Sequence, residues 1–326
     1  MKIYSHVESN NAGATSVQGG LSKNRKSLED KGVCYPDDQL CHHGFNFTSQ
    51  QDEKFWPRQY KDVELNDLQA YVTENLVKIA NDFNRGLNTY IFSSEYLFID
   101  DKKSVESILE WFEQHVGSID LEVILFFRNP VEQYMSSQQK IIKEEHSIES
   151  PTFYHYSFRS VIETWSDFCK VNVFEHKKGV DSLQVVSNFL DLDNEGLIVP
   201  KRTNESLSVG QMLLLEKTQK NVYSNSAGIF KKHLFTIHNI KADWLTKPYS
   251  KCGVSNLIYE NHFHDLQWLT HAYEINFDNN NSVGFYNSPF KSECSISDVH
   301  ESDKKKFESY ESMILDLLLI EHSKQS

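Results

Sequence analysis

The sequence has little cysteine: five residues in 326 (Cys34, Cys41, Cys169, Cys252 and Cys294), odd in number and with no Cys-x-x-Cys pair. That argues against the disulfide framework of a small secreted domain, and reduced thiols in a cytoplasmic protein are the expectation. On that expectation the Asn46-Phe47-Thr48 and Asn204-Glu205-Ser206 sequons carry no glycan. Long apolar runs are missing too. Runs such as residues 123–127 and 317–320 fall far short of the roughly 20 residues a membrane span needs, so no membrane partner is expected. The opening Met1-Lys2-Ile3-Tyr4-Ser5-His6 has no apolar core of the kind a secretion signal carries. Positive charge is scarce: 33 Lys and Arg stand against 46 Asp and Glu, a net charge of −13. A nucleic-acid partner is therefore not expected, because counterion release needs clustered positive charge. Any anionic ligand must be held locally, against the sign of the whole chain.

What is present is ordinary globular composition, 39% hydrophobic and 24% charged, in a chain long enough for one large domain or two. Residues 2–7, 89–94, 121–127 and 171–175 are short apolar, β-branched and aromatic runs, the pattern of strands buried on both faces. Helical periodicity fills the intervals. Leu65, Leu68, Val72, Leu76, Ile79 and Phe83 recur at spacings of three and four within residues 62–84. Similar patterns run through residues 14–30, 102–116, 131–145 and 153–168. Alternating strands and helices predict an α/β domain with a mainly parallel central sheet flanked by helices. After Pro200 the texture becomes helical, over residues 209–222, 262–275 and 304–322. The expected division is an α/β domain over 1–205 and a helical subdomain over 206–326. The C-terminal helices are a candidate homodimer contact, through the apolar stretch 313–320.

The first strand runs into Glu8-Ser9-Asn10-Asn11-Ala12-Gly13 and then a helix opening Ala14-Thr15-Ser16. A strand, a glycine-bearing turn and a helix start with hydroxyl residues is phosphate-loop geometry: free N–H groups and the helix dipole favour an anion. Against the nucleotide-triphosphatase pattern G-x-x-x-x-G-K-[ST], Gly13 and Thr15 fit, but Glu8 replaces the first glycine and Ala14 the lysine. A P-loop kinase is accordingly the weaker alternative.

Several stretches together resemble the bacterial carbohydrate-type sulfotransferase-like family, which has a P-loop three-layer fold. They are the run from His6 through Ser16-Val17-Gln18, then Leu21-Ser22-Lys23-Asn24-Arg25-Lys26-Ser27-Leu28, then Gly32-Val33-Cys34-Tyr35-Pro36. Arg128-Asn129-Pro130, followed by Ser136, looks like the family element that holds the 3′-phosphate of 3′-phosphoadenosine 5′-phosphosulfate (PAPS). Arg there supplies a fixed fork of donors, and Pro130 suits the first helical position. Ile91-Phe92-Ser93-Ser94-Glu95, Cys41-His42-His43 and the Asn204-Glu205-Ser206-Leu207-Ser208 loop resemble further family elements.

The resemblance implies sulfonate transfer from PAPS, leaving adenosine 3′,5′-bisphosphate, to a hydroxyl of a glycan or small polar acceptor. Asn10, Asn11, Ala12, Gly13, Ala14, Thr15 and Ser16 would line the phosphosulfate loop, and Arg128, Ser136, Lys201 and Arg202 would hold the remaining charge. His42 and His43, with Glu95 next, are the candidates for the general base, which needs a pKa near neutrality. The chain departs from the family where its loop lysine falls on Asn11 and its threonine on Ala12, and Glu8 adds a negative charge. Losing a charged donor at a transition state costs on the order of 10²–10³ in rate. Three outcomes stay open: another cation such as Lys23 or Lys201 serves the site, the protein binds PAPS or adenosine 3′,5′-bisphosphate without turnover, or the loop takes another ligand.

Phe45, Phe47, Phe55, Trp56 and Tyr60 form an aromatic segment that either lines a carbohydrate cleft or pins a loop to the core. His262 and His264, beside Glu260 and Asp265, are spaced i, i+2 and so do not share a helix face; no metal site is expected.

Overall fold

The computed structural model describes residues 1–9, 13–36, 39–48, 64–99, 101–143, 145, 147–177, 179–192, 197–200, 206–221, 237, 247–277 and 293–300. Asn10, Asn11, Ala12, Lys201, Arg202, the aromatic residues Phe55, Trp56 and Tyr60, and the helix expected over 304–322 lie outside them.

The chain divides into two compact units. The first, residues 1–128, 157–202 and 269–275, carries the sheet. Its strands are β1 (Lys2–Glu8), β2 (Val33–Cys34), β3 (Thr89–Ser93), β4 (Asp120–Phe127) and, after β5 (Ile148–Glu149) of the second unit, β6 (Lys170–Glu175). The spatial order is β2-β3-β1-β4-β6, and every pairing is parallel. This is the expected α/β architecture, with a sheet that is parallel throughout.

Period-2 alternation explains the layers. On one face of the sheet, Ile91, Ile124 and Phe126 pack with Val17 and Leu21 of α1 (Ala14–Lys23), Leu28 of α2 (Arg25–Asp30), and Leu183 and Val186 of α7 (Ser182–Phe189). On the other, Tyr90, Phe92 and Phe127 meet Phe83 of α3 (Leu65–Phe83), Phe112 of α4 (Lys102–His115) and Phe158 of α6 (Phe158–Ser166). Phe45, in the 3₁₀ turn His43–Thr48, stacks on Phe112 and tilts over Phe92. For this residue the aromatic segment is core; such ring pairs contribute about 0.5–1.5 kcal/mol beyond area burial.

The helix expected over 14–30 is broken at Asn24. Its side-chain amide donates to the carbonyls of Gly20 (2.8 Å) and Ile198 (3.0 Å) and accepts from the N–H of Ile198 (2.9 Å). Arg25 donates to the carbonyls of Tyr35, Ser22 and Gln39 and lies over the Tyr35 ring. The Asn24-Arg25 pair is thereby a clamp that ties the α1–α2 junction to distant loops. Gly20 has a different reason: any Cβ there would run into the Leu183 side chain, so its absence lets α1 lie close on α7.

The second unit comprises residues 129–156, 203–268 and 276–326. It contains α5 (Pro130–Ile141), β5, α8 (Val209–Asn221), α9 (Cys252–Asn261), β7 (Glu293–Cys294) and α11 (Ile296–Val299); α10 (Phe263–Tyr273) begins in it. One division falls at 202/203. Residues 129–156 join the later segments because β5 pairs antiparallel with β7, Asn129 donates to the Tyr259 hydroxyl (2.8 Å), and the Tyr156 N–H donates to His262 (2.7 Å). No disulfide joins any of the five cysteines, all of which are among the described residues. Among the described residues no helix is long and apolar enough to cross a membrane.

Candidate functional site

Parallel strands end together, and open parallel sheets place ligands outside the carboxyl ends where neighbouring connections diverge. The connection from β1 leads toward β2 on one side and that from β4 leads toward β6 on the other, so the divergence falls between β1 and β4. At that edge stand Glu8 and Ser9 of β1 and its extension, Ser93 at the end of β3 with Ser94 and Glu95 after it, Arg128 after β4 and His176 after β6.

Gly13 opens α1 with φ 120°, and a Cβ there would lie 2.5 Å from the Ser182 hydroxyl and 3.0 Å from His176 Nδ1. Only glycine satisfies both the dihedral and the space. Its carbonyl accepts the Ser16 N–H (2.8 Å), which starts the helix. Ala14 is buried against the core and Thr15 is exposed at the first turn. The Ser16 hydroxyl is committed: it donates to Asp181 (2.6 Å), whose same oxygen caps α7 at the Leu183 N–H (2.9 Å).

The two candidate histidines reach the end of β3, and there they differ. His42 is fully buried, accepts the Ser93 N–H at Nδ1 (3.0 Å) and donates from Nε2 to the Pro36 carbonyl (2.7 Å). Burial pushes its pKa down to about 4, so the ring is neutral at pH 7 with a defined tautomer. Both nitrogens are spent on backbone, which corrects the expectation of His42 as a proton acceptor: it is a brace. His43 Nδ1 instead meets the Ser94 hydroxyl at 2.9 Å, with its ring edge-on to Tyr96. Glu95 starts the 3₁₀ turn Glu95–Leu97 and is half-buried.

Arg128 is half-buried at the end of β4, directly after Phe127, whose carbonyl accepts the His176 N–H (2.7 Å). Asn129 caps α5 through its side-chain oxygen to the Val131 N–H (2.9 Å), with Pro130 at the first helical position as expected. Ser136 is half-buried on α5 in the second unit.

Two residues deserved more weight from the sequence. His6 and Glu8 alternate onto the α1 face of β1 and are both fully buried. His6 Nδ1 lies 2.7 Å from the Ser93 hydroxyl, and its Nε2 lies 3.6 Å from a Glu8 carboxylate oxygen, beyond hydrogen-bond length but within ion-pair range. Burial above all, and Glu95 in addition, push the Glu8 carboxyl up, against the opposing influence of His6. The readable signal was a pair of ionisable residues at i, i+2 inside an otherwise buried strand. His176 and Asp181 gave no comparable signal, since their partners are remote in sequence.

Compared with known proteins, the chain matches no family model, no curated protein sequence and no solved structure. Its class rests on the fold and the edge just described: an α/β protein with a parallel five-stranded sheet and a strand–glycine turn–helix unit at the sheet's centre.

Proposed function

We propose that the chain is a cytoplasmic sulfotransferase-like protein. It binds PAPS, or the product adenosine 3′,5′-bisphosphate, at the carboxyl edge between β1 and β4 and passes sulfonate to a hydroxyl of a glycan or small polar acceptor. The observation that carries this reading is the juxtaposition of the glycine-opened helix α1, after the central strand, with Arg128 at the end of the adjoining strand. Helix N–H groups suit a phosphate, and an Arg fork suits a second one. In the reaction the acceptor oxygen bonds to sulfur, the bond from sulfur to the bridging phosphate oxygen breaks, and the acceptor proton passes to a base. With His42 committed to backbone, His43 and Glu95 are the groups at this edge for that proton.

Binding without turnover is the second reading, supported by the Ser16 hydroxyl being donated to Asp181 and by the buried carboxyl of Glu8 at the end of β1. A thermal-shift titration with adenosine 3′,5′-bisphosphate beside AMP, ADP and Mg-ATP tests both. Ligand at about 100 times its Kd stabilises the folded state by roughly 2.7 kcal/mol. A shift specific to the bisphosphate is expected; PAPS consumption with acceptors then separates the two readings. A shift with Mg-ATP alone favours a kinase, and no shift with any nucleotide removes the proposal.

A further inference from the structure

Glu8 and His6 are polar groups without sufficient partners in a fully buried place. Among the described residues, both Glu8 carboxyl oxygens and His6 Nε2 lack a hydrogen-bond partner, while both side chains have no solvent exposure. Buried polar atoms in folded proteins are nearly always satisfied, so an unsatisfied cluster calls for a reason. Packing alone gives none, since leucine or valine would fill the end of a buried strand at no electrostatic cost.

The surroundings narrow the reason. Glu8 is faced by His6 on its own strand and by the charge of Glu95 after β3; level with it on β4 is Phe126, which is apolar. Ser93, level with His6 on β3, takes the other imidazole nitrogen at 2.7 Å. The described residues gather no group of three or more His, Cys, Asp or Glu side chains that could hold a metal ion. What remains is a pair of buried ionisable side chains at the end of β1, before the α1 helix start. An ionised Glu8 repels an anion at that edge. A protonated Glu8 is neutral and offers a hydrogen-bond donor, as carboxylic acids kept neutral by apolar sites do elsewhere.

We propose that Glu8, backed by His6 and Ser93, is the proton site for anion binding at the carboxyl edge: a phosphate-bearing nucleotide binds together with one proton from solvent, held on the Glu8 carboxyl. This rests on the nucleotide reading above and deepens it. Proton-coupled binding substitutes for the positive charge that Asn11 cannot supply, and it ties affinity to pH. Burial moves the Glu8 carboxyl in the direction that favours its protonated form.

The test is calorimetric titration of the whole protein with adenosine 3′,5′-bisphosphate from pH 6 to 9, in pairs of buffers that differ in ionisation enthalpy. The affinity of the unmodified protein is expected to fall by up to tenfold per pH unit above pH 7, where phosphomonoesters are already ionised, with uptake approaching one proton. Glu8→Gln keeps the shape and a donor and should bind with the excess pH dependence removed. Buffer-pair proton counting on the unmodified protein needs no variant, so the inference is tested even if Glu8→Gln does not fold. Binding without proton uptake, affinity rising with pH, or an unchanged pH profile in Glu8→Gln overturns the inference and leaves the nucleotide reading standing. No binding at any pH overturns the nucleotide reading and this inference with it.

Discussion

His42 and Ser93 hold each other by two hydrogen bonds: the His42 N–H donates to the Ser93 carbonyl (2.8 Å) and the Ser93 N–H donates to His42 Nδ1 (3.0 Å). With Nε2 donated to the Pro36 carbonyl, the ring joins β3 to the segment after β2 and keeps the serine pair Ser93-Ser94 at the sheet's carboxyl edge. The arrangement requires a neutral ring.

A pH dependence follows. His42 has a folded pKa of about 4 against an ordinary value of 6.5, so the unfolded chain binds the proton more readily. Its contribution to stability is intact above about pH 6.5 and is lost progressively as pH falls toward 4, by about 3 kcal/mol at most. Denaturant unfolding at pH 7 and pH 4 should show a smaller acid loss in His42→Gln than in the unmodified protein. Equal losses would contradict the buried neutral ring.

Gly13→Ala is expected to destabilise by at least about 1–3 kcal/mol, because alanine at φ 120° is strained and its methyl would meet the Ser182 hydroxyl. Urea midpoints at constant slope measure it. Ser182→Gly in the same chain should recover only the steric part, since the dihedral strain remains.

Glu8→Gln has the opposite sign. A carboxyl pushed up by burial is easier to protonate when folded, so it stabilises at low pH and loses that contribution as pH rises through its folded pKa. The variant should match the unmodified protein near pH 4 and exceed it in thermal stability at pH 8. A variant less stable at pH 8 would mean that the ionised carboxylate is a structural requirement.

Arg128→Ala tests the phosphate assignment. Charge-assisted hydrogen bonds contribute about 1.5–3 kcal/mol, so affinity for adenosine 3′,5′-bisphosphate should fall roughly 10–100-fold while AMP binding changes little. Equal loss for both nucleotides would place Arg128 elsewhere in the site.

Much of the fold was legible because it is written locally. β1, β3, β4 and β6 are apolar and β-branched or aromatic runs, α3 and α4 carry the helical period, and Pro130 with Asn129 marks the start of α5. The two-residue strands β2, β5 and β7 have no such record; a strand of two residues exists only through its partner. The same holds for α7, whose cap Asp181 also receives Ser16 from 165 positions away.

The candidate site divides along that line. Sequence alone determined that hydroxyl residues and a glycine follow the first strand, that an Arg-Asn-Pro follows a core strand, and that no lysine stands in the turn, because these are properties of neighbouring residues. Tertiary structure alone decided that His42 is a brace while His43 meets Ser94, that Ser16 is spent on Asp181, and that His6 and Glu8 are buried together, 3.6 Å apart. A protonation state depends on burial and on partners dozens of residues distant, and those are set only when the sheet assembles.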